Sequence, residues 1–151
     1  MAQSLSRILL HIIFSTKDRH EFLNDMTMRK EMHAFLAGTL KNRGSTPILV
    51  GGVADHIHIL CLQSKDELIK KSIGEAKRTS SIWIKGKAGI SANFAWQRGY
   101  GVFSVSESNL EMVRQYILHQ DSHHKTVSFK DEFKLFLQKH NIEYDEKYLW
   151  E

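Results

Sequence analysis

The chain has 151 residues, of which 42% are hydrophobic and 25% charged, with a formal net charge of +4. This length and composition favour one globular domain, residues 1–151. No apolar stretch approaches the roughly 18 residues of a membrane-spanning helix, which excludes a membrane partner. The single cysteine, Cys61, excludes an internal disulfide and fits a reducing compartment, so we expect a cytoplasmic protein.

The first half of the chain predicts a strand, a helix and two further strands. Ser6–Thr16 is a nearly continuous apolar run, which is typical of a buried strand. Residues 25–44 carry apolar side chains at helical spacing and end on Gly44, where a helix C-terminal glycine belongs. Residues 46–64 then contain two β-rich runs with a turn near Gly51–Asp55.

The second half predicts a helix over residues 65–87, a strand within 94–106 and a helix over 107–124. Ser108 and Glu111 predict a capping box at the start of that last helix. Residues 126–151 predict a C-terminal helical tail of the same domain, which we expect to dock on the body or a partner subunit without doing chemistry. The order β-α-β-β-α-β predicts an α+β, ferredoxin-like split βαβ sandwich, an antiparallel sheet with helices on one face.

Basic residues are concentrated in the body of the chain. Residues 126–151 hold four lysines and six acidic residues, whereas Lys65–Lys87 holds seven basic and three acidic residues. Such a basic region favours a polyanionic partner, because Lys and Arg displace counterions from phosphates. The alternative is an ordinary solvated surface. The candidate DNA-binding residues are Lys17, Arg19, Lys70, Lys71, Lys77, Arg78, Ser80, Lys85 and Lys87.

The segment ADHIHIL places two imidazoles in an apolar strand. Side chains alternate along a strand, so His56 and His58 project to one face while Ile57 and Ile59 project to the other. Two unpaired imidazoles in a half-buried strand would be costly, and a metal ion or an acidic partner would relieve that cost. With nine histidines in the chain, this spacing alone does not decide between a metal site and coincidence.

A second pattern lies on the predicted helix over 107–124. Tyr116 and Gln120 are four residues apart, so the phenol and the carboxamide share a flank. Two imidazole nitrogens and one amide oxygen suit Mg²⁺ or Mn²⁺, and a deprotonated tyrosine can attack phosphorus. The alternative is a border tyrosine that packs its ring and exposes its hydroxyl. The roles of His119, His123 and His124, on the same helix, stay open.

The ordered set of H-I-H on a strand and Tyr-x-x-x-Gln on a helix resembles the single-tyrosine HUH transposases of small bacterial insertion sequences. The segments FSTKDR, SSIWIK and FAWQRGYGVFSVS and the C-terminal tail are also similar to that family. The resemblance implies that His56, His58 and Gln120 hold divalent Mg²⁺ or Mn²⁺. It also implies that Tyr116 is the nucleophile, which leaves a 5′-phosphotyrosine and a free 3′-hydroxyl.

The resemblance further implies a metal-dependent single-strand DNA endonuclease and strand transferase that acts at hairpin-marked element ends. It implies a homodimer, in which the tyrosine helix of one subunit can lie against the histidines of the other. Three alternatives stay open: a chromosomal, non-mobile relative with the same chemistry, a replication-initiator or relaxase-type nickase, and a noncatalytic nucleic-acid-binding module. Nickases of that kind usually carry further domains, and a binding module would not need both Tyr116 and Gln120.

Overall fold

The computed structural model describes residues 2–87 and 92–151. The strands within these ranges are β1 (Leu9–Ser15), β2 (Thr46–Gly52), β3 (His56–Leu62) and β4 (Gly101–Val105). The helices are α1 (Met26–Asn42), α2 (Ile69–Lys85), α3 (Leu110–Leu118), α4 (Gln120–His123) and α5 (Phe129–Lys139). None of the described helices is both long and apolar enough to cross a bilayer.

The four strands form one antiparallel sheet in the order β2-β3-β1-β4. The two central strands, β1 and β3, are buried along almost their whole length, as expected for apolar runs flanked by other strands. With α1 connecting β1 to β2 and α2 connecting β3 to β4, the arrangement is ferredoxin-like. The predicted fold class is therefore confirmed.

The helices α1 and α2 lie on one face of this sheet, as predicted, but α5 covers the other face as well. On the first face, Ile57 and Ile59 of β3 pack with Phe14 of β1 and with apolar side chains of α1 and α2 in the larger core. On the second face, Ile13 of β1 and Phe103 of β4 pack with aromatic side chains of α5. The prediction that the histidines and isoleucines of ADHIHIL project to opposite faces is confirmed: the isoleucines lie in the larger core and the histidines on the α5-covered face.

Local signals in the sequence mark the limits of α1 correctly. The Asp25 carboxylate accepts a hydrogen bond of 2.8 Å from the backbone N–H of Met28 at the start of the helix. Gly44 follows its end with φ of 90°, a left-handed conformation that favours glycine.

Cys61 of β3 is buried, and burial raises the pKa of its thiol to about 12, as expected for a packing residue.

The helix predicted over 107–124 is interrupted. α3 ends at Leu118, His119 leaves the helical conformation with φ of −103° and ψ of 25°, and α4 begins at Gln120. The predicted capping box is wrong: Ser108 shares a hydrogen bond with Ser106, and Glu111 accepts hydrogen bonds from Gln115 and Arg114.

The strand predicted within 94–106 is present as Gly101–Val105, and Trp96, earlier in the same segment, bridges to Thr16 beside β1. The tail is shorter in helix than predicted. The C-terminal tail is helical only over Phe129–Lys139, where Ser128 caps α5 by accepting a hydrogen bond from the backbone N–H of Asp131.

A glycine lets α3 approach the sheet. Gly51 of β2 pairs with His58 of β3. A Cβ atom added at Gly51 would lie 2.6 Å from Cγ2 of Ile117 and 3.2 Å from its backbone oxygen. Because a backbone atom is involved, a side chain there would push α3, which carries Tyr116, away from the sheet.

We expect Gly51→Ala to lower the free energy of unfolding by roughly 1–3 kcal/mol through overpacking. Urea denaturation measures this change. Gly38→Ala is the matched control, because no atom lies within 4 Å of a Cβ added at this exposed position of α1. It should stabilise the protein by up to about 1 kcal/mol through helix propensity. Equal effects of the two substitutions would contradict the close approach.

Candidate active site

The two histidines of β3 are held by different neighbours. His56 donates from Nδ1 to Oδ1 of Asp55 at 2.7 Å, and His58 Nδ1 shares a hydrogen bond of 2.8 Å with His11 Nε2 of β1. Both rings are fully buried, with centroids 5.1 Å apart. Because each Nδ1 is engaged, both Nε2 atoms are directed toward the space below α3 and α5.

A carboxylate from α5 lies at the centre of this space. Glu132 is 1% exposed, and its Oε1 lies 3.0 Å from Nε2 of His58 and 3.5 Å from Nε2 of His56. Its Oε2 accepts a hydrogen bond from the Tyr116 hydroxyl. The same oxygen lies 3.2 Å from the side-chain nitrogens of Gln120, His123 and His124. Glu132 therefore bridges the histidine pair and the tyrosine.

The surroundings of these groups set their charge states. Burial alone would raise the pKa of Glu132, but hydrogen bonds from His124 and His58 outweigh it and hold that pKa well below its usual range. Burial lowers the pKa of His58 to about 4. Burial, together with the hydrogen bond to Glu132 and its charge, raises the pKa of Tyr116 well above its ordinary value. The tyrosine is therefore neutral and the carboxylate ionised.

The cluster fits a divalent cation. His56, His58, His124 and Glu132 each offer one ligand atom, and these atoms lie within 4.8 Å of one another. Oε1 of Gln120 lies 3.1 Å from Nε2 of His56. Nitrogen and oxygen donors without a thiolate suit Mg²⁺ or Mn²⁺, and an ionised carboxylate and a neutral imidazole are the forms that bind metal.

The structure brings the four site residues predicted from sequence into one cluster. The Tyr116 ring lies 5.9 Å from that of His58, and the Gln120 carboxamide contacts both His56 and Glu132. The helix break at His119 does not separate Tyr116 from Gln120, because both side chains reach the same Glu132 oxygen. The roles expected of these residues stay predictions.

Sequence reasoning missed Glu132 and did not assign His123 and His124. The expectation that the tail would only dock overlooked that α5 carries a carboxylate into the cluster. The available signal was its position: Glu132 lies three residues after Phe129 and four before Phe136, within an apolar helical stripe. His123 lies 3.1 Å from the Tyr116 hydroxyl. His119 is exposed and lies outside the cluster.

The structure separates most of the predicted DNA-binding residues from this cluster. Seven of the nine lie on α2 or directly after it, and α2 packs on the first sheet face, opposite the histidines. Ser80 is fully buried, donates to the backbone oxygen of Lys77 and accepts a hydrogen bond from Nε1 of Trp96. Its hydroxyl is therefore not accessible to a phosphate, which corrects the prediction that Ser80 binds DNA.

Lys77 also has a structural role. Its ammonium donates to the backbone oxygens of Gln97, Arg98 and Gly99 at 2.6–3.2 Å, and burial lowers its pKa to about 8. It thereby ties α2 to the segment that precedes β4.

Other candidate residues present their charges outward. Lys17, Lys70, Lys71 and Lys85 are exposed. Arg78 pairs with Glu75 at 2.7 Å, Lys87 lies 5.3 Å above the ring of Trp83, and Arg19 donates to the backbone oxygen of Trp150. Two cavities, of about 430 Å³ and 520 Å³, share the wall formed by residues 95–98; the first is also lined by Lys70 and Arg78, the second by Lys17.

Comparisons with known proteins agree with this fold. Residues 4–120 match the sequence profile of the family described as "Transposase IS200 like". A candidate transposase from Deinococcus radiodurans R1 is similar in structure, with a TM-score of 0.59 and 21% identity over 80% of this chain and 95% of that one. A REP-associated tyrosine transposase bound to a REP hairpin gives a TM-score of 0.60 and 14% identity, over 84% and 76%. No curated protein matches in sequence.

Proposed function

Because the chain belongs to the IS200-like transposase family, we propose that it cleaves and rejoins single-stranded DNA with Tyr116 as the nucleophile. The observation that carries the proposal is the contact of the Tyr116 hydroxyl with Glu132, inside the cluster that contains His56 and His58. We propose hairpin-marked single strands as the substrate, because the resemblance implies them and a similar structure is bound to a REP hairpin.

In this proposal, His56 and His58 hold Mg²⁺ or Mn²⁺ with further donors from Gln120, His124 and Glu132. When bound, the cation polarises the phosphodiester and offsets the charge that develops in the transition state. Asp55 and His11 orient the two imidazoles through their Nδ1 atoms. The buried setting of the rings limits their motion and keeps both Nε2 atoms on the same side of the sheet.

Glu132 and His123 contact the hydroxyl of Tyr116, whose proton must leave before the oxygen bonds to phosphorus. Glu132 Oε2 accepts the hydrogen bond from the hydroxyl, so this carboxylate is placed to take the proton as the tyrosine oxygen attacks phosphorus. The new oxygen–phosphorus bond forms a 5′-phosphotyrosine, and the bond to the 3′-oxygen breaks. His123 Nε2 lies 3.1 Å from the same hydroxyl and is a second group that can hold the Tyr116 oxygen in place. The leaving 3′-oxygen takes its proton from solvent. Attack by a 3′-hydroxyl reverses the step and rejoins a strand.

One chain contains all the groups that this chemistry needs, since Tyr116 lies against its own His58. The homodimer with shared sites stays a prediction, as do the single domain over 1–151 and a cytoplasmic place of action. A chromosomal, non-mobile relative would use the same site. For hairpin contacts, we propose the exposed Lys17, Lys70, Lys71 and Lys85 together with Arg19, Arg78 and Lys87.

The proposal is tested with a labelled DNA hairpin that carries single-stranded flanks. In Mn²⁺ or Mg²⁺, the wild-type protein should form an adduct that survives a denaturing gel, and chelation of the metal should abolish it. His56→Ala should lose the adduct while retaining DNA binding, because it removes one imidazole from the cluster. His119→Ala is the matched control and should keep it, since that exposed ring lies outside the cluster. Tight binding without an adduct on any hairpin end tried would favour the noncatalytic module.

A further inference from the structure

A cavity of about 280 Å³ opens between α3 and α5 beside the proposed nucleophile. We call it the α3–α5 cavity. Its lining includes Val113 and Tyr116 of α3 and Phe136 and Lys139 of α5. Tyr116, His123 and Glu132, which take part in the chemistry proposed above, also line it, whereas Val113, Phe136 and Lys139 have no role in that chemistry.

The α3–α5 cavity has the chemical character of a site for a flat heteroaromatic group. Phe136 packs edge-to-face against His11, with ring centroids 5.0 Å apart, and against Tyr116, at 5.8 Å. These rings and Val113 supply apolar surface. His11 and His123 supply the few polar groups that meet the edge of such a ring.

We propose that the α3–α5 cavity binds the base of a nucleotide that flanks the scissile phosphate. This inference rests on the proposed function and adds a base preference to it. A phosphorus atom under attack by Tyr116 must lie about 3–3.5 Å from its oxygen. The two bases next to that phosphate then lie close enough to reach the cavity that Tyr116 lines. Stacking between apolar and aromatic walls stabilises an unpaired base, and Lys139 adds a cation for a neighbouring phosphate.

A second copy of the chain is the competing occupant. Met112 and Leu135, which also line the cavity, are 69% and 59% exposed and could pack against another protein surface. The position of Tyr116 favours a base, because attack by its hydroxyl on phosphorus brings a nucleotide to the cavity that it lines.

The first experiment captures covalent adducts from hairpin oligonucleotides with randomised single-stranded flanks and sequences the attached DNA. It should show a base bias at one nucleotide next to the cleaved phosphate. An abasic site at that position should then lower adduct formation about tenfold, as expected for loss of contacts in an apolar pocket.

Val113→Phe fills the α3–α5 cavity, and Leu118→Phe is the matched control on the same helix, at an exposed residue outside it. Val113→Phe should lower adduct formation about tenfold on the substrate with the preferred base. On the abasic substrate, adduct formation by this variant should recover, because the added ring occupies the space that the missing base leaves. Leu118→Phe should behave as the wild type. Absence of base bias, or equal behaviour of the two variants on both substrates, would overturn the proposal. A change in oligomeric mass in Val113→Phe without altered base dependence would assign the cavity to a second copy.

Binding is measured separately from cleavage with 2-aminopurine placed at successive flank positions. Stacking in the cavity should quench its fluorescence at one position with wild-type protein but not with Val113→Phe. Quenching without any adduct would refute the cleavage chemistry and keep the base site. An adduct without position-specific quenching would refute the base site and keep the chemistry.

Discussion

Replacing Tyr116 by phenylalanine should abolish the covalent adduct and lower strand cleavage by about a thousandfold or more. The substitution removes only the hydroxyl oxygen, and the ring can keep its contacts with His58 and Phe136. Glu132 keeps His58, His124 and Gln120 as partners, so the cluster and the fold should persist. Adduct formation is measured on denaturing gels, and DNA binding, measured by gel shift, should change little.

Tyr148→Phe is the matched control, because Tyr148 is 57% exposed in the C-terminal segment and should not affect the adduct. An adduct formed by Tyr116→Phe would place the nucleophile elsewhere.

Mixing Tyr116→Phe with His56→Ala protein tests the homodimer. Restored activity in the mixture would show that the tyrosine of one subunit acts with the histidines of another. A mixture that remains inactive would favour active sites formed within one chain.

Replacing Glu132 by glutamine should slow adduct formation by roughly 10²–10⁴-fold, the range for loss of a general base. Glutamine has nearly the same shape, but it cannot take a proton from the Tyr116 hydroxyl at neutral pH. It also removes the buried negative charge beside His56 and His58, so half-maximal activity should require more Mn²⁺. Rates measured across a metal titration separate the two losses. A defect that vanishes at saturating metal would limit Glu132 to metal binding.

The pH dependence of Glu132→Gln adds a second readout. Glu132 raises the pKa of Tyr116 through its hydrogen bond and its charge, so removing the carboxylate should lower that pKa. The ionised tyrosine then becomes more populated in the variant as the pH rises, and the ratio of variant to wild-type rates should increase in alkaline solution. Glu143→Gln, at an exposed tail position, should match the wild type. A ratio that stays constant with pH would contradict proton transfer to Glu132.

Patterns of short range in the sequence predicted much of the fold. Strand alternation placed His56 and His58 on the face opposite Ile57, and the order of apolar segments predicted the ferredoxin-like sheet. These predictions succeeded because each depends on residues that are neighbours along the chain. The capping box predicted at Ser108 failed because other side chains compete for the groups that would form it. Arg114 and Gln115 both donate hydrogen bonds to the Glu111 carboxylate.

By itself, the sequence determined the strand that carries the imidazole pair, the spacing of Tyr116 and Gln120, and the family to which residues 4–120 belong. Only the tertiary structure decided that Glu132, 74 residues after His58, completes the cluster and that Ser80 is buried. The reason is that the second sheet face is also apolar and must be covered. The packing of α5 on Ile13 and Phe103 meets that need and carries the Glu132 carboxylate to the histidines.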